Sequence, residues 1–313
     1  AKKLRKRRFD KGAVNFETVE VKFKLDEKGK PLGLFVKERK DIHKLIEEFM
    51  LLANRTVAEF VFNKNKGKDT FVYRIHDHPD AERLETFANF AKKFGHEMKI
   101  GEGTRISMAL NKLMEEILGK PEQNVLEQLA IRSMAKAKYT TEAKGHFGLA
   151  FQHYTHFTSP IRRYPDMMVH RLLQHYLDGG KSPEAETWED KCLHSSEREK
   201  RAADSERASI KYKQVEFMSL AEEKDYDGIV TGVTEWGVFV EITETKCEGM
   251  IRVQDMKDDY YQFDEKNMRL IGTRNKKMIT LGEKVMVRVV ATDIDRRTID
   301  LEFADNEPRN KRR

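Results

Sequence analysis

The chain has 313 residues, of which 39% are hydrophobic and 36% are charged, and its formal net charge is +6. This length allows two domains with cores of their own, and no run of 18 apolar residues occurs, so no membrane span is indicated. Six of the first eight residues are Lys or Arg and the sequence ends in RNKRR, which favours a polyanionic partner over two solvated tails.

The first part of the chain alternates between strand and helix patterns. Hydrophobic residues alternate on both sides of a DEKGK turn within residues 19–36, which predicts a β-hairpin. Residues 41–62 change to a helical period, with Asp41 placed as the cap of the helix. The residues that form the predicted apolar stripe of this helix are Ile42, Leu45, Ile46, Phe49, Ala53, Val57, Phe60 and Val61.

Helices predominate in the middle of the chain. A short strand at 71–75 is followed by predicted helices near 80–94, 104–118 and 122–138. A further helix is predicted at about 165–178, since Pro165 and Asp166 suit its first turn and Gly179-Gly180 ends it. Its apolar face carries Val169, Leu172, Leu173, Tyr176 and Leu177. Residues 184–221 are charged and helical.

After Ala221 the pattern becomes that of short strands with glycines at the bends. The segments DYDGIVTGVTEWGVFVEI and KVMVRVVATDIDRRTIDLEF supply two strands each, and the turn-rich stretch between them holds one more. Five strands in about 80 residues predict a small barrel such as an OB fold. The predicted fold class is therefore α+β for residues 1–221 and all-β for residues 222–304, with a basic tail at 305–313.

Residues 153–171, HYTHFTSPIRRYPDMMVHR, concentrate the residue types that bind ligands. His146, His153, His156 and His170 lack the paired spacing of a zinc site, so packed and hydrogen-bonded histidines are the better interpretation. Asp77 with Asp80, and Asp258 with Asp259, are the nearest approach to a carboxylate cluster for Mg²⁺, and neither pair is convincing. The sequence thus predicts no metal site in this chain. The two cysteines, Cys192 and Cys247, indicate neither a disulfide framework nor a zinc site, which fits a reducing cytoplasm.

Arg162 and Arg163 lie in the predicted loop just before a helix. The planar guanidinium group binds phosphate through two hydrogen bonds, and a loop before a helix also presents free backbone N–H groups to an anion. The alternative is a structural ion pair with Asp166, which the spacing allows for one arginine but hardly for both.

The predicted barrel carries a second candidate surface. Trp236 and Phe239 lie beside and in the strand after a glycine bend, with Arg252 on the next strand and Asp293 and Arg297 flanking the last turn. Aromatic side chains beside arginines on an OB barrel are typical of a platform on which single-stranded nucleic acid stacks. The alternative is that Phe239 is a core residue, because Trp236 and Phe239 are separated by an odd step and face opposite sides unless a bulge intervenes.

The segment HFGLAFQHYTHFTSPIRRYPDMMVHRLL resembles the signature of the RNase II / RNase R family of 3′-to-5′ exoribonucleases. The segments LRKRRFDKGAVNFE, HKLIEEFMLLANRTVAE, VYRIHDHPD and IRSMAKAKY resemble further blocks of that family, in the same order. Residues 223–303 are similar to the OB module that follows the catalytic domain, and the basic tail is closer to RNase R than to RNase II.

The resemblance implies a mechanism and roles for several residues. Single-stranded RNA enters with its 3′ end first, aspartates hold Mg²⁺, and the ion activates water at the last phosphodiester. Arg162 matches the arginine that contacts the phosphate there, with Arg163 beside it in the same RNA-contacting loop. Phe16 matches an aromatic that packs on the 3′-terminal bases, and Glu47, or Glu48 in its place, a carboxylate near the terminal riboses. On the barrel, Trp236, Phe239, Arg252, Asp293 and Arg297 match the RNA-binding face, with Arg252 standing where this module often has His.

The chain departs from the family pattern because the cold-shock-type domains and the Asp-bearing first half of the catalytic domain are absent from it. We therefore expect a C-terminal part of an RNase R that is inactive alone and has the missing N-terminal part of the same enzyme as a partner. Two alternatives remain: a non-catalytic RNA-binding or scaffolding protein with a degenerate nuclease half, and a ribosome-associated factor that uses only the barrel.

Overall fold

The structure is a computed structural model that describes residues 1–15, 20–37, 40–101, 103–120 and 122–304. The described residues form two compact units. One comprises those within Ala1–Thr18 and Glu38–Ala203, and the other those within Val19–Lys37 and Asp204–Arg313. None of the helices in the described ranges combines the length and apolarity that a bilayer crossing requires.

Most of the helices and strands follow each other in the order that the periodicity predicted, with several shifted boundaries, and a few were not predicted. The helices are α1 (Lys2–Asp10), α2 (Asp41–Asn65), α3 (Ala81–Lys93), α4 (Thr104–Ile117), α5 (Gln123–Ser133), α6 (Tyr164–Leu177) and α7 (Ala185–Ser219). The strands are β1 (Glu20–Leu25), β2 (Pro31–Lys37), β3 (Tyr73–Ile75), β4 (Lys138–Thr140), β5 (Asp225–Val233), β6 (Gly237–Ile242), β7 (Glu248–Arg252), β8 (Tyr261–Asp264), β9 (Arg269–Gly272), β10 (Met278–Thr280), β11 (Lys284–Asp293) and β12 (Thr298–Phe303). The chain is therefore a mixture of helices and strands.

The strands form four separate sheets. β1 and β2 are the antiparallel hairpin expected from residues 19–36, and β3 pairs with β4 in a short antiparallel ribbon. Five strands close into a barrel in the order β11-β12-β7-β6-β5, in which only β12 and β7 are parallel. β8, β9 and β10 form an antiparallel sheet of their own between the third and fourth barrel strands.

One hydrophobic cluster in the core of the first unit is built on α6. Met168, Val169, Leu172 and Tyr176 are buried on one face of this helix, where they pack against α2, the segment leading through β3, and Cys192 of α7. The predicted face of α6 is confirmed at Val169, Leu172 and Tyr176. It is wrong at Leu177, which is exposed because it lies in the last turn of the helix, beyond the core.

The barrel core follows the alternation of the strands. Val238, Val240 and Ile242 of β6 are buried, so Phe239 between them points outward. Gly249 lies on β7 where it faces β12, and a Cβ atom there would meet the Leu301 side chain at 2.6 Å. This close approach is why the strand needs glycine at that position.

The buried face of α2 differs from the predicted apolar stripe. Ile42, Ile46 and Phe49 are 58%, 52% and 53% exposed, whereas the polar residues Glu48 and Asn54 are buried. The stripe is wrong at these positions and confirmed at Val57 and Val61, which pack in the core. Glu48 and Asn54 can be buried because both polar side chains have partners inside the protein, as described below. The predicted cap was also wrong: Lys40 is the N-cap and Asp41 lies in the first turn.

Two other boundaries need correction. The helix predicted at 122–138 ends at Ser133, and residues 138–140 form β4 instead, because Tyr139 is buried and its segment pairs with β3. The stretch between the third and fourth barrel strands was predicted to be turn-rich outside its barrel strand, yet it forms the sheet β8–β10, in which Leu270 and Ile279 are buried.

Candidate nucleic-acid interface

Residues 157–163 form the loop that leads into α6, and a side chain of α2 fixes the start of this loop. Asn54 Oδ1 accepts hydrogen bonds from the backbone N–H groups of Phe157 and Thr158, at 2.9 and 3.2 Å. Its amide Nδ2 donates to Tyr154 Oη at 3.0 Å. Asn54 thus makes three hydrogen bonds to residues 154–158, which explains why a polar residue is buried in α2.

Asp166, in the first turn of α6, holds the other end of the loop. Its side chain is wholly buried, and Oδ1 accepts from Ser159 N at 2.7 Å and from Arg163 Nη2 at 2.9 Å. The carbonyl oxygen of Ser159 accepts in turn from the backbone N–H groups of Arg162 and Arg163. Ser159 therefore fixes the turn on which the two arginines lie.

The two adjacent arginines have different surroundings. Arg163 forms the ion pair with Asp166 that the sequence allowed for one of them, and it is half-buried. Arg162 is exposed, and among the described residues no carboxylate lies within ion-pair distance of its guanidinium group. Arg162 is therefore the arginine of this loop that is available to an anion.

The histidines near the loop are packed against aromatic rings, and His156 and His170 are also hydrogen-bonded. His156 Nδ1 and Tyr139 Oη are 2.8 Å apart, and His170 bonds the Phe157 carbonyl oxygen at 2.8 Å while stacking on the Phe157 ring. His153 stacks on Phe62, with ring centroids 3.7 Å apart. This agrees with packing as the better interpretation of these residues.

Burial also determines the charge of two of these histidines. Desolvation lowers the pKa of His156 to about 2, and repulsion from Arg163 acts in the same direction. Desolvation lowers the pKa of His146 to about 3, with a further contribution from His76. Both imidazoles are consequently neutral at physiological pH.

The carboxylates considered for Mg²⁺ have structural partners. Asp80 Oδ1 accepts from Arg83 N at the start of α3, and Asp259 accepts from three backbone N–H groups at 2.6–2.8 Å. No group of three or more His, Cys, Asp or Glu side chains that could hold a metal ion occurs within the described ranges. These residues do not fit a magnesium site, which needs several converging oxygens.

The two candidate glutamates of α2 face different surroundings. Glu48 is buried and its Oε1 lies 2.5 Å from Arg8 Nη2, while Glu47 is only partly buried. Because Glu48 is engaged in a buried ion pair with Arg8, Glu47 is the more accessible carboxylate of the two. Phe16, which the resemblance assigns to the 3′-terminal bases, lies outside the described residues.

On the barrel, the predicted aromatic pair reaches the outer surface without a bulge between its members. Trp236 is 72% exposed and lies in the turn just before β6, so strand alternation does not constrain its direction. Phe239 points outward from β6, flanked by Gly232 on β5 and Met250 on β7. A Cβ atom on Gly232 would come within 3.2 Å of the Phe239 ring. Because glycine has no side chain, the ring has space to lie along the barrel surface.

The charged residues of the predicted RNA-binding surface on the barrel are Arg252, Asp293 and Arg297. Arg252 pairs with Gly237 across β7 and β6, and its Nη2 donates to both carboxylate oxygens of Asp300 at 3.0 and 2.8 Å. Asp293 Oδ1 accepts from Arg296 N and shapes the β11–β12 turn, in which Arg297 has a φ of 58° and is exposed. Arg252 is thus held in place by Asp300, and Arg297 extends into solvent.

Several residues that shape the loop had no signal in the sequence motifs. Asn54 lies in the predicted helix at residues 41–62, and its polar side chain was the one feature there that could have indicated a buried partner. Tyr139 and Ser196 lie far from the loop in sequence: Ser196 Oγ of α7 accepts from Tyr139 N at 3.0 Å, and Tyr139 Oη bonds His156. Only the fold brings them together.

Residues 1–179 match the model of the RNB domain, and residues 219–303 match that of the S1 RNA binding domain. The fold and the matches define a class of protein in which an RNB domain precedes an S1 module. Ribonuclease R 1 of Lactococcus lactis is 40% identical over 310 residues, a match that covers 97% of this chain and 37% of that protein. Ribonuclease R of Aquifex aeolicus is 36% identical over 305 residues, covering 96% and 43%. The chain belongs to the ribonuclease R family.

A solved structure supports the same assignment. The structure of Mycoplasma genitalium RNase R in complex with ribose methylated single-stranded RNA matches with a TM-score of 0.88 and 25% identity, over 96% of this chain and 48% of that one. The chain therefore spans less than half the length of the two curated relatives and of this structure.

Proposed function

We propose that this chain is the RNA-binding and phosphate-contacting half of a processive, Mg²⁺-dependent 3′-to-5′ exoribonuclease that hydrolyses single-stranded and structured RNA to 5′-nucleotides. The observation that carries the proposal is the state of Arg162: it is exposed, without a carboxylate partner among the described residues, on a loop fixed by Asn54 and Asp166. A guanidinium group held in this way costs little reorganisation when phosphate charge develops beside it.

The roles proposed for the neighbouring residues are those that the resemblance to the family implies. Arg162 contacts the phosphate of the scissile bond, and Arg163 adds positive potential beside it while it anchors the loop through Asp166. Glu47 lies near the terminal riboses, and Phe16 packs on the terminal bases. Arg162 is the catalytic residue that this chain contributes.

The proposed Mg²⁺ is bound by aspartates outside the described residues, in the part of the family that this chain does not span. When bound, the ion supplies an activated water to the last phosphodiester. The partner of the chain is then the preceding part of the same enzyme, and no step of hydrolysis is assigned to the chain in isolation.

The barrel is proposed to be an OB fold that guides RNA. Around the barrel the strands follow each other as β5, β6, β7, β12 and β11, and β7 and β12 are parallel. This order supports the assignment to an OB fold. We place the nuclease part at residues 1–221, the OB domain at 222–304 and a basic tail at 305–313. Trp236 and Phe239 offer rings for stacking, and Arg252, Asp293 and Arg297 offer polar contacts.

The second candidate function is a non-catalytic RNA-binding or scaffolding protein. It would use the RNA-binding surfaces described above and have no catalytic Mg²⁺. The two candidates differ in one respect: a protein of the family's full length that carries this chain either hydrolyses RNA with Mg²⁺ or binds it without hydrolysis.

The test of the first candidate is Arg162→Lys in a protein of that length. Lys keeps the charge but loses the planar fork, so we expect turnover to fall about 100-fold while RNA affinity changes less than about threefold. The matched control is Arg171→Lys, an exposed arginine of α6, which should leave both quantities unchanged. Unchanged turnover in Arg162→Lys would contradict the role of Arg162.

A further inference from the structure

A cleft lies beside the loop that carries Arg162 and Arg163. One of its two walls contains none of the sequence motifs described above. The cleft has a volume of about 560 Å³ and is lined on one side by Arg162, Arg163 and Tyr164. The opposite side is a stretch of α7 between residues 194 and 202, to which His194 and Arg198 contribute. This volume is within the range of small-molecule sites, so the cleft has room for more than one phosphate group.

The two walls are fixed to each other within the first unit. Tyr139 of β4 lines the cleft and bonds both Ser196 of α7 and His156 at the base of the loop. Arg74 of β3 binds Glu199 of α7 through both carboxylate oxygens, at 2.5 and 3.1 Å. The position of α7 relative to the loop is therefore fixed by hydrogen bonds of Tyr139 and Glu199, which themselves line the cleft.

The ion pairs leave two cations of the cleft uncompensated. Arg163 is paired with Asp166, and Glu199 is paired with Arg74. Within the described part of the chain, no carboxylate lies within ion-pair distance of Arg162 or of Arg198. The cleft consequently has a positive potential with one unpaired guanidinium group on each wall.

Arg198 is also oriented for an anion. Its Nε donates to His194 Nε2 at 3.4 Å, one turn earlier on α7, which leaves the two Nη groups for another acceptor. Tyr164, 54% exposed, adds an aromatic surface in the same cleft. A cation pair with an aromatic ring between two walls suits a nucleotide chain better than it suits an inorganic ion.

We propose that Arg198 of α7 binds the phosphate that neighbours the one held by Arg162, so that the cleft holds two successive phosphates of a single-stranded RNA. This inference rests on the proposed role of Arg162. It adds a binding residue from a helix outside the matched RNB segment, which ends at residue 179. The alternative is that Arg198 is a solvated surface arginine, as most exposed arginines are.

The test is the affinity of the 313-residue chain for a short oligouridylate, measured at several salt concentrations. Arg198→Gln should weaken binding about tenfold and lower the slope of log K against log salt by about 0.7, the contribution of one phosphate contact on a single strand. The matched control is Lys200→Gln, which removes one positive charge from the same helix, two residues away and not lining the cleft. This control should change affinity less than about twofold.

Two outcomes separate the inference from the proposed function. If Arg162→Gln weakens binding while Arg198→Gln behaves like Lys200→Gln, the inference is overturned and the role of Arg162 stands. If neither arginine variant differs from the control, both are overturned. Circular dichroism and thermal melting of each variant distinguish a lost contact from a lost fold.

A mononucleotide, uridine 5′-monophosphate, tests whether the two arginines hold different phosphates. Arg162→Gln should weaken its binding, and Arg198→Gln should leave it unchanged because the second phosphate is missing. Equal losses with the mononucleotide would mean that both arginines bind one phosphate, which would contradict the assignment.

Discussion

Asp166 holds the guanidinium group of Arg163 at 2.9 Å, and this ion pair distinguishes two arginines that are adjacent in sequence. The same carboxylate oxygen accepts from Ser159 N, so one buried side chain fixes both Arg163 and the turn that carries Arg162. Arg163 thereby becomes part of the scaffold, and Arg162 remains available to ligand.

Asp166→Ala should destabilise the first unit by about 3 kcal/mol, because it removes one partner of a buried ion pair and leaves Ser159 N without an acceptor. The measurement is urea unfolding followed by fluorescence in a Trp236→Phe background, so that Trp188 is the only tryptophan. Asp178→Ala, at the exposed end of the same helix, is the control and should cost less than about 0.5 kcal/mol. Equal unfolding midpoints for the two variants would show that Asp166 does not anchor the loop.

The two glutamates of α2 should separate stability from binding. Glu48→Gln leaves the buried Arg8 guanidinium without its charge partner, so we expect a loss of about 3 kcal/mol in the free energy of unfolding. Glu47→Gln should leave stability within about 0.5 kcal/mol and reduce the preference for RNA over DNA of the same sequence. Urea unfolding and competition binding measure the two effects, and a stability loss in Glu47→Gln as large as that in Glu48→Gln would contradict this division.

The buried histidines predict how stability depends on pH. Desolvation depresses the pKa of His156 to about 2 and that of His146 to about 3, so below about pH 6.5 the unfolded chain takes up protons that the folded chain does not. Stability should therefore fall as the pH decreases from 6.5 towards 3, by about 1.4 kcal/mol per pH unit for each histidine. His156→Gln should lower this slope by about 1.4 kcal/mol per pH unit below pH 6.5, measured by urea unfolding at pH 7, 6 and 5. A slope identical to that of the parent would mean that His156 is protonated in the folded state.

Trp236 should contribute to binding but not to stability, because its side chain is 72% exposed in a turn. Trp236→Ala should weaken binding of single-stranded RNA by about 1–3 kcal/mol, the value of one stacked base, without changing the salt dependence. Tyr260→Ala is a matched control, since Tyr260 is 74% exposed beside the separate sheet β8–β10. An equal loss of affinity in the control would argue against a specific platform on the barrel.

The sequence predicted those parts of the fold whose signal is local. The five barrel strands, α6 and the long helix α7 follow from alternation, helical period and glycine or proline at the ends. Helix α2 was placed correctly, but its buried face was not, because burial of Glu48 and Asn54 depends on Arg8 and on the loop at residues 157–158. Such partners are distant in sequence, and hydrophobic periodicity contains no information about them.

The candidate site was predictable only in part for the same reason. The motif around Arg162 identified the loop, and the spacing to Asp166 predicted an ion pair for one of the two arginines without deciding which. The wall formed by His194 and Arg198 could not be read from the sequence, since α7 appears there as a uniformly charged helix. Its position beside the loop depends on Tyr139, Ser196 and the pairing of β3 with β4.

The most direct test of the central claim is a crystal structure of the 313-residue chain with a short oligouridylate. The account predicts a phosphate oxygen within about 3 Å of the Arg162 guanidinium group, with Arg163 still bonded to Asp166. RNA bound to the barrel alone, with Arg162 in solvent or turned to a carboxylate, would contradict it.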